Sequence, residues 1–307
     1  MRILVVGAGA TGGFFGGLLA RAGRDVTFLV RPARAQALRE HGLQIKSPRG
    51  DFTLAPQIAQ TGTLSSTFDL ILLGVKAYTL EDAMNDFAPA VGPQTAIVPT
   101  LNGMRHIDLL TARFGKSAVL GGVCIVSSTL DESGRIVQLT DMQSLTYGEL
   151  SGELTTRIRQ VDATLQGAGF AASASQHIVR DMWEKWVIIA TLGASTCLMR
   201  GSIGAIVAAG GAPVIEATLE ECASVARAAG YPPTDAFVAD MRARFTAAGS
   251  PLTASMYRDL QAGAKVEADQ ILGDLVGRAR EFGLSTPLLA ASYVQLNVYQ
   301  RGLTQTA

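Results

Sequence analysis

The chain has 307 residues, 48% of them hydrophobic and 17% charged, with Lys plus Arg and Asp plus Glu balanced at 26 each. That length suits two domains, and the composition excludes a disordered chain. A formal net charge of zero excludes a global field that would draw the protein to nucleic acid or to an anionic membrane, so any anionic ligand has to be held by local groups.

The N-terminus places an apolar run of four residues, Ile3 to Val6, ahead of a glycine-rich stretch. This is too short for the apolar region of an export signal. Short β-rich runs then recur at Asp25 to Val30, Leu70 to Val75, Thr95 to Thr100 and Val119 to Val126, with helical spacers at Thr11 to Ala22, Leu80 to Phe87 and Arg105 to Phe114. Continuous rather than alternating hydrophobicity in these strands predicts a parallel sheet covered on both faces. Leu43 to Lys46 and Phe52 to Ala55, joined by Ser47-Pro48-Arg49-Gly50, read as a hairpin. From about His177 the strand signals vanish and helical periodicity runs to the end, punctuated at Gly210-Gly211, Gly230 to Pro233, Gly249 to Pro251 and Gly283 to Pro287. The expected architecture is α/β: a Rossmann-type doubly wound sheet over residues 1–175 and an all-helical domain over 176–307.

Cys124, Cys197 and Cys222 lie far apart in apolar surroundings and read as reduced, packed thiols of a cytoplasmic protein. His41, His106 and His177 have no metal-ligand spacing and read as surface or capping residues, so no metal is expected. The apolar run Val187 to Met199 falls short of the ~20 residues that span a bilayer and reads as a buried helix.

Gly7-Ala8-Gly9-Ala10-Thr11-Gly12 follows a strand and opens a helix, the context in which glycines cradle a pyrophosphate at a helix N-terminus. Where an NAD enzyme would carry Asp or Glu near the end of the second strand, this chain has Arg31 and then Arg34, and arginine grips a 2′-phosphate that a carboxylate would repel. NADP(H) is the expected cofactor.

These motifs, with Gly74-Val75-Lys76-Ala77, Asn102-Gly103-Met104, Trp183-Glu184-Lys185, Ser255-Met256 and Lys265-Val266-Glu267-Ala268-Asp269, resemble the ketopantoate reductases (2-dehydropantoate 2-reductases) in order and approximate spacing. The resemblance implies a Rossmann domain, a helical domain like that of 6-phosphogluconate dehydrogenase, and NADPH-dependent reduction of a 2-oxo acid, a step that the parent activity contributes to pantothenate biosynthesis. It implies Lys185 as proton donor and Glu267 as the residue that orients substrate or cofactor. Asn102 and Lys76 would lie beside the nicotinamide and the substrate, Ser255 on the substrate, and Ser127 on the cofactor.

A lysine at the mouth of an apolar helix suits general acid work, because desolvation lowers its pKa toward the working pH while a nearby carboxylate limits the fall. Asp181, four residues earlier, is spaced to pair with it. Residues 182, 185, 189 and 193 share a helical face, and at Ile189, Gly193 and Leu272 the family pattern leads one to expect asparagines. Their absence points to a bulkier or more apolar 2-oxo acid than ketopantoate. Ser255 and Glu267 would stand about 18 Å apart on one unbroken helix, so an interruption is expected around Gln261 to Ala264. Two other readings stay open: a related dehydrogenase acting on another hydroxy acid or an imine, and a module that senses NADP without turnover. The Ala- and Leu-rich helical half also suggests a homodimer, with a small-molecule substrate and no nucleic-acid or membrane partner.

Overall fold

The computed structural model describes residues 1–305. It divides into two units, Met1–Leu101 with His106–Val179, and Asn102–Arg105 with Arg180 onward. The short segment 102–105 thus belongs with the second unit although it lies far from it in sequence.

The first unit holds β1 (Arg2–Val6), α1 (Ala10–Arg21), β2 (Asp25–Val30), α2 (Pro32–His41), β3 (Leu43–Lys46), β4 (Phe52–Leu54), β5 (Gln57–Gln60), β6 (Phe68–Leu73), α3 (Leu80–Phe87), β7 (Val91–Pro99), α4 (Arg105–Phe114), β8 (Leu120–Leu130), β9 (Ile136–Glu149), α5 (Thr156–Leu165) and β10 (Ala171–Ala174). Five parallel strands form a sheet in the order β5-β2-β1-β6-β7. Residues 3–6 and 70–73 at its centre are almost wholly buried, as expected of strands covered on both faces.

The fifth expected strand is a correction. Val119 makes a single parallel bridge to Ile97, after which β8 leaves this sheet and pairs antiparallel with β9. A second sheet results, in the order β10-β9-β3-β4, with the hairpin β3–β4 in it and β8 on β9. Helix α1 lies between the two sheets and needs small residues on both sides. A Cβ at Gly16 would meet Phe28 and Val5 of the first sheet, and Cβ atoms at Gly13 and Gly17 would meet Ile136 and Ile45 of the second. The run Gly12-Gly13-Phe14-Phe15-Gly16-Gly17 is therefore a packing device, with both phenylalanines fully buried. His106 is a second correction: the amphipathic α4 turns it inward with Ile107 and Leu110, and it is buried rather than at the surface.

The second unit is helical: α6 (Ile178–Met199), α7 (Ile203–Ala208), α8 (Ala212–Ala228), α9 (Asp235–Phe245), α10 (Ser255–Gln261), a π-helical turn (Asp269–Gly273), α11 (Asp274–Glu281) and α12 (Pro287–Gln305). Most of α6 from Trp186 to Cys197 is buried, which its apolar sequence requires. Among the described residues no helix is long and apolar enough to cross a membrane. Cys124, Cys197 and Cys222 are buried thiols outside any disulfide, and burial pushes those of Cys197 and Cys222 up to about 12.

Candidate active site

In the first unit the candidate glycine loop runs from the end of β1 into the N-terminus of α1. Gly7 ends β1 with φ +91°, a conformation that favours glycine, and its amide donates to the Leu29 carbonyl at 3.0 Å. A Cβ at Gly12 would sit 2.2 Å from the Gly7 carbonyl oxygen, and one at Gly74 would press on Gly12, so these positions bring the helix onto the strand ends. Gly9 is different. It is the N-cap of α1, no side chain caps the first turn, and a Cβ there would meet nothing within 4 Å. Neither packing nor a left-handed φ explains this glycine. An open, uncapped helix N-terminus fits a phosphate group, which pairs with the first-turn amides and the helix dipole.

The two arginines after β2 part company. Arg34 is half-buried, donating from Nε to the Ala8 carbonyl at 3.1 Å and from Nη1 to the Gly134 carbonyl at 2.8 Å, and burial lowers its pKa below the ordinary guanidinium value. It is a strut for the glycine loop. Arg31 stands exposed at the N-cap of α2, with Nη2 3.5 Å from the Asp82 carboxylate. Lys76 is exposed just past β6, as N-cap of a 3-10 turn. Ser127 sits where the β8–β9 register shifts, and the neighbouring Ser128 is the residue that touches the loop, its hydroxyl donating to the Ala10 carbonyl at 3.0 Å. Sequence reasoning missed Ser128 because the register shift between Val126 and Ser128 depends on the pairing with β9, which the local pattern does not show.

In the second unit three segments distant in sequence converge. Helix α6 carries Lys185, half-buried, and next to it the buried Trp186. The Trp186 Nε1 donates to the Ile271 carbonyl of the π-helical turn at 2.8 Å. That turn begins two residues after Glu267, which is only 8% exposed. Gln270 Nε2 in the same turn donates to the Asn102 carbonyl at 2.7 Å, and Gly103, with φ +77°, lies against the Gln270 backbone and near Trp186 Nε1. Two buried side chains, Trp186 and Gln270, thus tie together the segments that carry Asn102, Lys185 and Glu267. Nothing in the local pattern around either signals this role, since each partner is a backbone carbonyl far along the chain.

The expected interruption before Glu267 is present. Helix α10 ends at Gln261, Gly263 takes φ +69°, and the Ala264 amide reaches back to the Asp259 carbonyl at 2.9 Å, the Schellman arrangement. Tyr299 donates its hydroxyl to the Ala264 carbonyl at 2.9 Å, and Tyr293 donates to Asp269 at 2.7 Å, so α12 holds both ends of the Glu267 segment. Ser255 is exposed in the first turn of α10. Its neighbour Met256 seats the helix: a Cβ at Gly193 would lie 2.7 Å from the Met256 Cε. The position two turns beyond Lys185 is therefore filled by a thioether methyl. Ile189, one turn beyond, is half-buried, and Leu272 is fully buried.

Residues 3–152 match the family model described as ketopantoate reductase PanE/ApbA, and residues 177–300 match its C-terminal counterpart. The chain is 35% identical over 301 residues to the uncharacterized oxidoreductase YkpB of Bacillus subtilis, covering 98% of this chain and 99% of that one. The crystal structure of 2-dehydropantoate 2-reductase from Geobacter metallireducens superposes with a TM-score of 0.88 at 28% identity, over 97% of this chain and 99% of the other. A ternary structure of D-mandelate dehydrogenase with NADH and anilino(oxo)acetate gives a TM-score of 0.89 over 99% and 100% of the two chains, at 21% identity, a likeness of fold alone.

Proposed function

The chain belongs to the ketopantoate reductase family and is an oxidoreductase of that family, and from this premise we propose that it reduces a 2-oxo acid to the 2-hydroxy acid with NADPH. The convergence of the Asn102, Lys185 and Glu267 segments through Trp186 and Gln270 carries the proposal.

The nucleotide would be held by the amides at the start of α1 behind Gly9, with its 2′-phosphate on Arg31. When bound, it supplies a hydride to C2 of the oxo acid. The chain's own residues then have to meet the negative charge that develops on the ketone oxygen. Lys185 gives its Nζ proton to that oxygen from a half-buried place on α6. Glu267, held between the Gly263 break and the π-helical turn, orients the substrate. In the second unit Asn102 borders the reacting groups and Ser255 holds the substrate carboxylate or hydroxyl, and in the first unit Lys76 serves the nucleotide.

The wall beyond Lys185 favours an apolar side chain on the substrate. Ile189 and the Met256 methyl over Gly193 offer no donor or acceptor, whereas a pocket for a hydroxylated chain uses hydrogen bonds that discriminate by large factors. A screen of NADPH oxidation over branched, aromatic and hydroxylated 2-oxo acids, with Lys185→Ala as control, tests the reading. Turnover that is lost in the variant is the expected result. Tight NADPH binding with no ketone or imine reduced would instead establish a nucleotide sensor.

A further inference from the structure

The nucleotide end of the first unit carries a charge arrangement that bears on which cofactor it accepts. Arg31 is the cation placed for a 2′-phosphate, because Arg34 spends two of its N–H groups on the Ala8 and Gly134 carbonyls. Its guanidinium lies 3.5 Å from Asp82 Oδ2, in the first turn of α3, with the two side chains 63% and 73% exposed. Glu81 adds a second carboxylate to the same turn. A phosphate gripped by Arg31 would therefore sit within a few ångströms of a carboxylate. An exposed ion pair contributes little to stability, so the fold does not require Asp82 to be where it is.

We propose that Asp82 is a specificity-determining residue that competes with the 2′-phosphate for Arg31, so that the site discriminates only modestly between NADPH and NADH. The inference rests on the nucleotide reading above. The 2′-phosphate carries close to two negative charges near neutral pH. With Asp82 ionised, a phosphate has to displace an existing partner of Arg31 and approach a like charge. A ribose with a free 2′-hydroxyl meets no such repulsion, and the carboxylate can accept its hydrogen bond. The site is thus a cation and an anion side by side, tolerant of both nucleotides.

Calorimetric titration of the full-length protein with NADP+, NAD+ and 2′,5′-ADP tests this on wild type, Asp82→Asn, Arg31→Ala and the double variant. Asp82→Asn should tighten NADP+ and 2′,5′-ADP by about tenfold at low salt while leaving NAD+ unchanged or weaker, the size expected of an exposed like-charge contact. The gain should shrink in 1 M salt and vanish in the double variant, neither of which a merely structural effect would produce. NADP+ affinity within twofold of wild type in Asp82→Asn, or equal tightening of both nucleotides, overturns the proposal. If Arg31→Ala leaves NADP+ binding intact, the phosphate does not lie on Arg31 and this proposal fails while the reductase reading stands. If wild type binds neither nucleotide, the reductase reading fails with it.

Discussion

The first unit presents its candidate ligand groups as backbone. Gly7, Gly9 and Gly12 act through what they lack, and the groups that would face a phosphate on the proposed reading are amides at the start of α1. In the second unit the candidate groups are side chains, those of Lys185, Glu267 and Asn102, on segments joined by buried polar contacts through Trp186 and Gln270. Backbone chemistry of the first kind is local, and at Gly12 it leaves no room for an added atom. Side-chain chemistry of the second kind depends on the register of whole helices and tolerates small errors at graded cost.

The sharpest way to break the contrast is to remove the amine. Lys185→Ala should lower kcat/KM by roughly 10² to 10⁴, the usual worth of positioned acid catalysis, while nucleotide affinity measured by titration stays within about twofold. An equal loss in both would mean that the lysine serves the nucleotide and that the division of labour between the units is wrong.

Within the first unit, a pair of glycine substitutions separates packing from ligand approach. Gly12→Ala puts a methyl 2.2 Å from the Gly7 carbonyl oxygen, a backbone atom that cannot step aside. A destabilisation of about 1 to 3 kcal/mol or more is expected by denaturant unfolding. Gly9→Ala meets nothing within 4 Å and should unfold like wild type, yet weaken NADP+ by about tenfold because the methyl lies where the diphosphate approaches the amides. Unchanged affinity in Gly9→Ala would leave the open helix end without a ligand.

The second unit should respond more gently. Gly193→Ala drives against the Met256 Cε, the far end of a flexible side chain, so its cost should stay near 1 kcal/mol. Because Met256 follows Ser255 at the start of α10, the displacement should raise KM for the oxo acid more than it lowers kcat. A fall in kcat alone would argue that α10 does not set the substrate's place.

These contrasts also explain what was readable in advance. Strands β1, β2, β6 and β7 follow from continuous apolar runs, the hairpin β3–β4 from alternating stretches around Ser47 to Gly50, and the breaks between the later helices from Gly and Pro, all of which act within a few residues. The edge strand β5, Gln57–Gln60, carries no apolar run of its own. Strand β9 was not read, because exposed Thr140, Asp141 and Met142 interrupt its pattern and its stability comes from pairing with β8, β3 and β10. The small residues of β10, Ala171 to Ala174, give no β signal of their own. At the site, the glycine loop and the break at Gly263 were legible because each is a backbone necessity. The division between Arg31 and Arg34 was not, since it depends on carbonyls at Ala8 and Gly134 that only the folded loop presents.

The smallest expected effect concerns Glu184, beside the proposed acid. Burial raises its pKa above the ordinary carboxylate value, the Asp181 charge adds to the rise, and a hydrogen bond from the Thr234 amide opposes it. A carboxyl whose folded pKa is raised binds its proton more tightly in the native state. Its contribution to stability is then present at low pH and is lost as pH rises through the folded value. Glu184→Gln has no such titration. The variant's melting temperature should gain on that of wild type between pH 4 and pH 7, by only about 1 °C given the partial exposure of the group. A difference that shrinks with rising pH would mean that the Thr234 hydrogen bond outweighs burial, and that the surroundings of Lys185 favour ionised carboxylates.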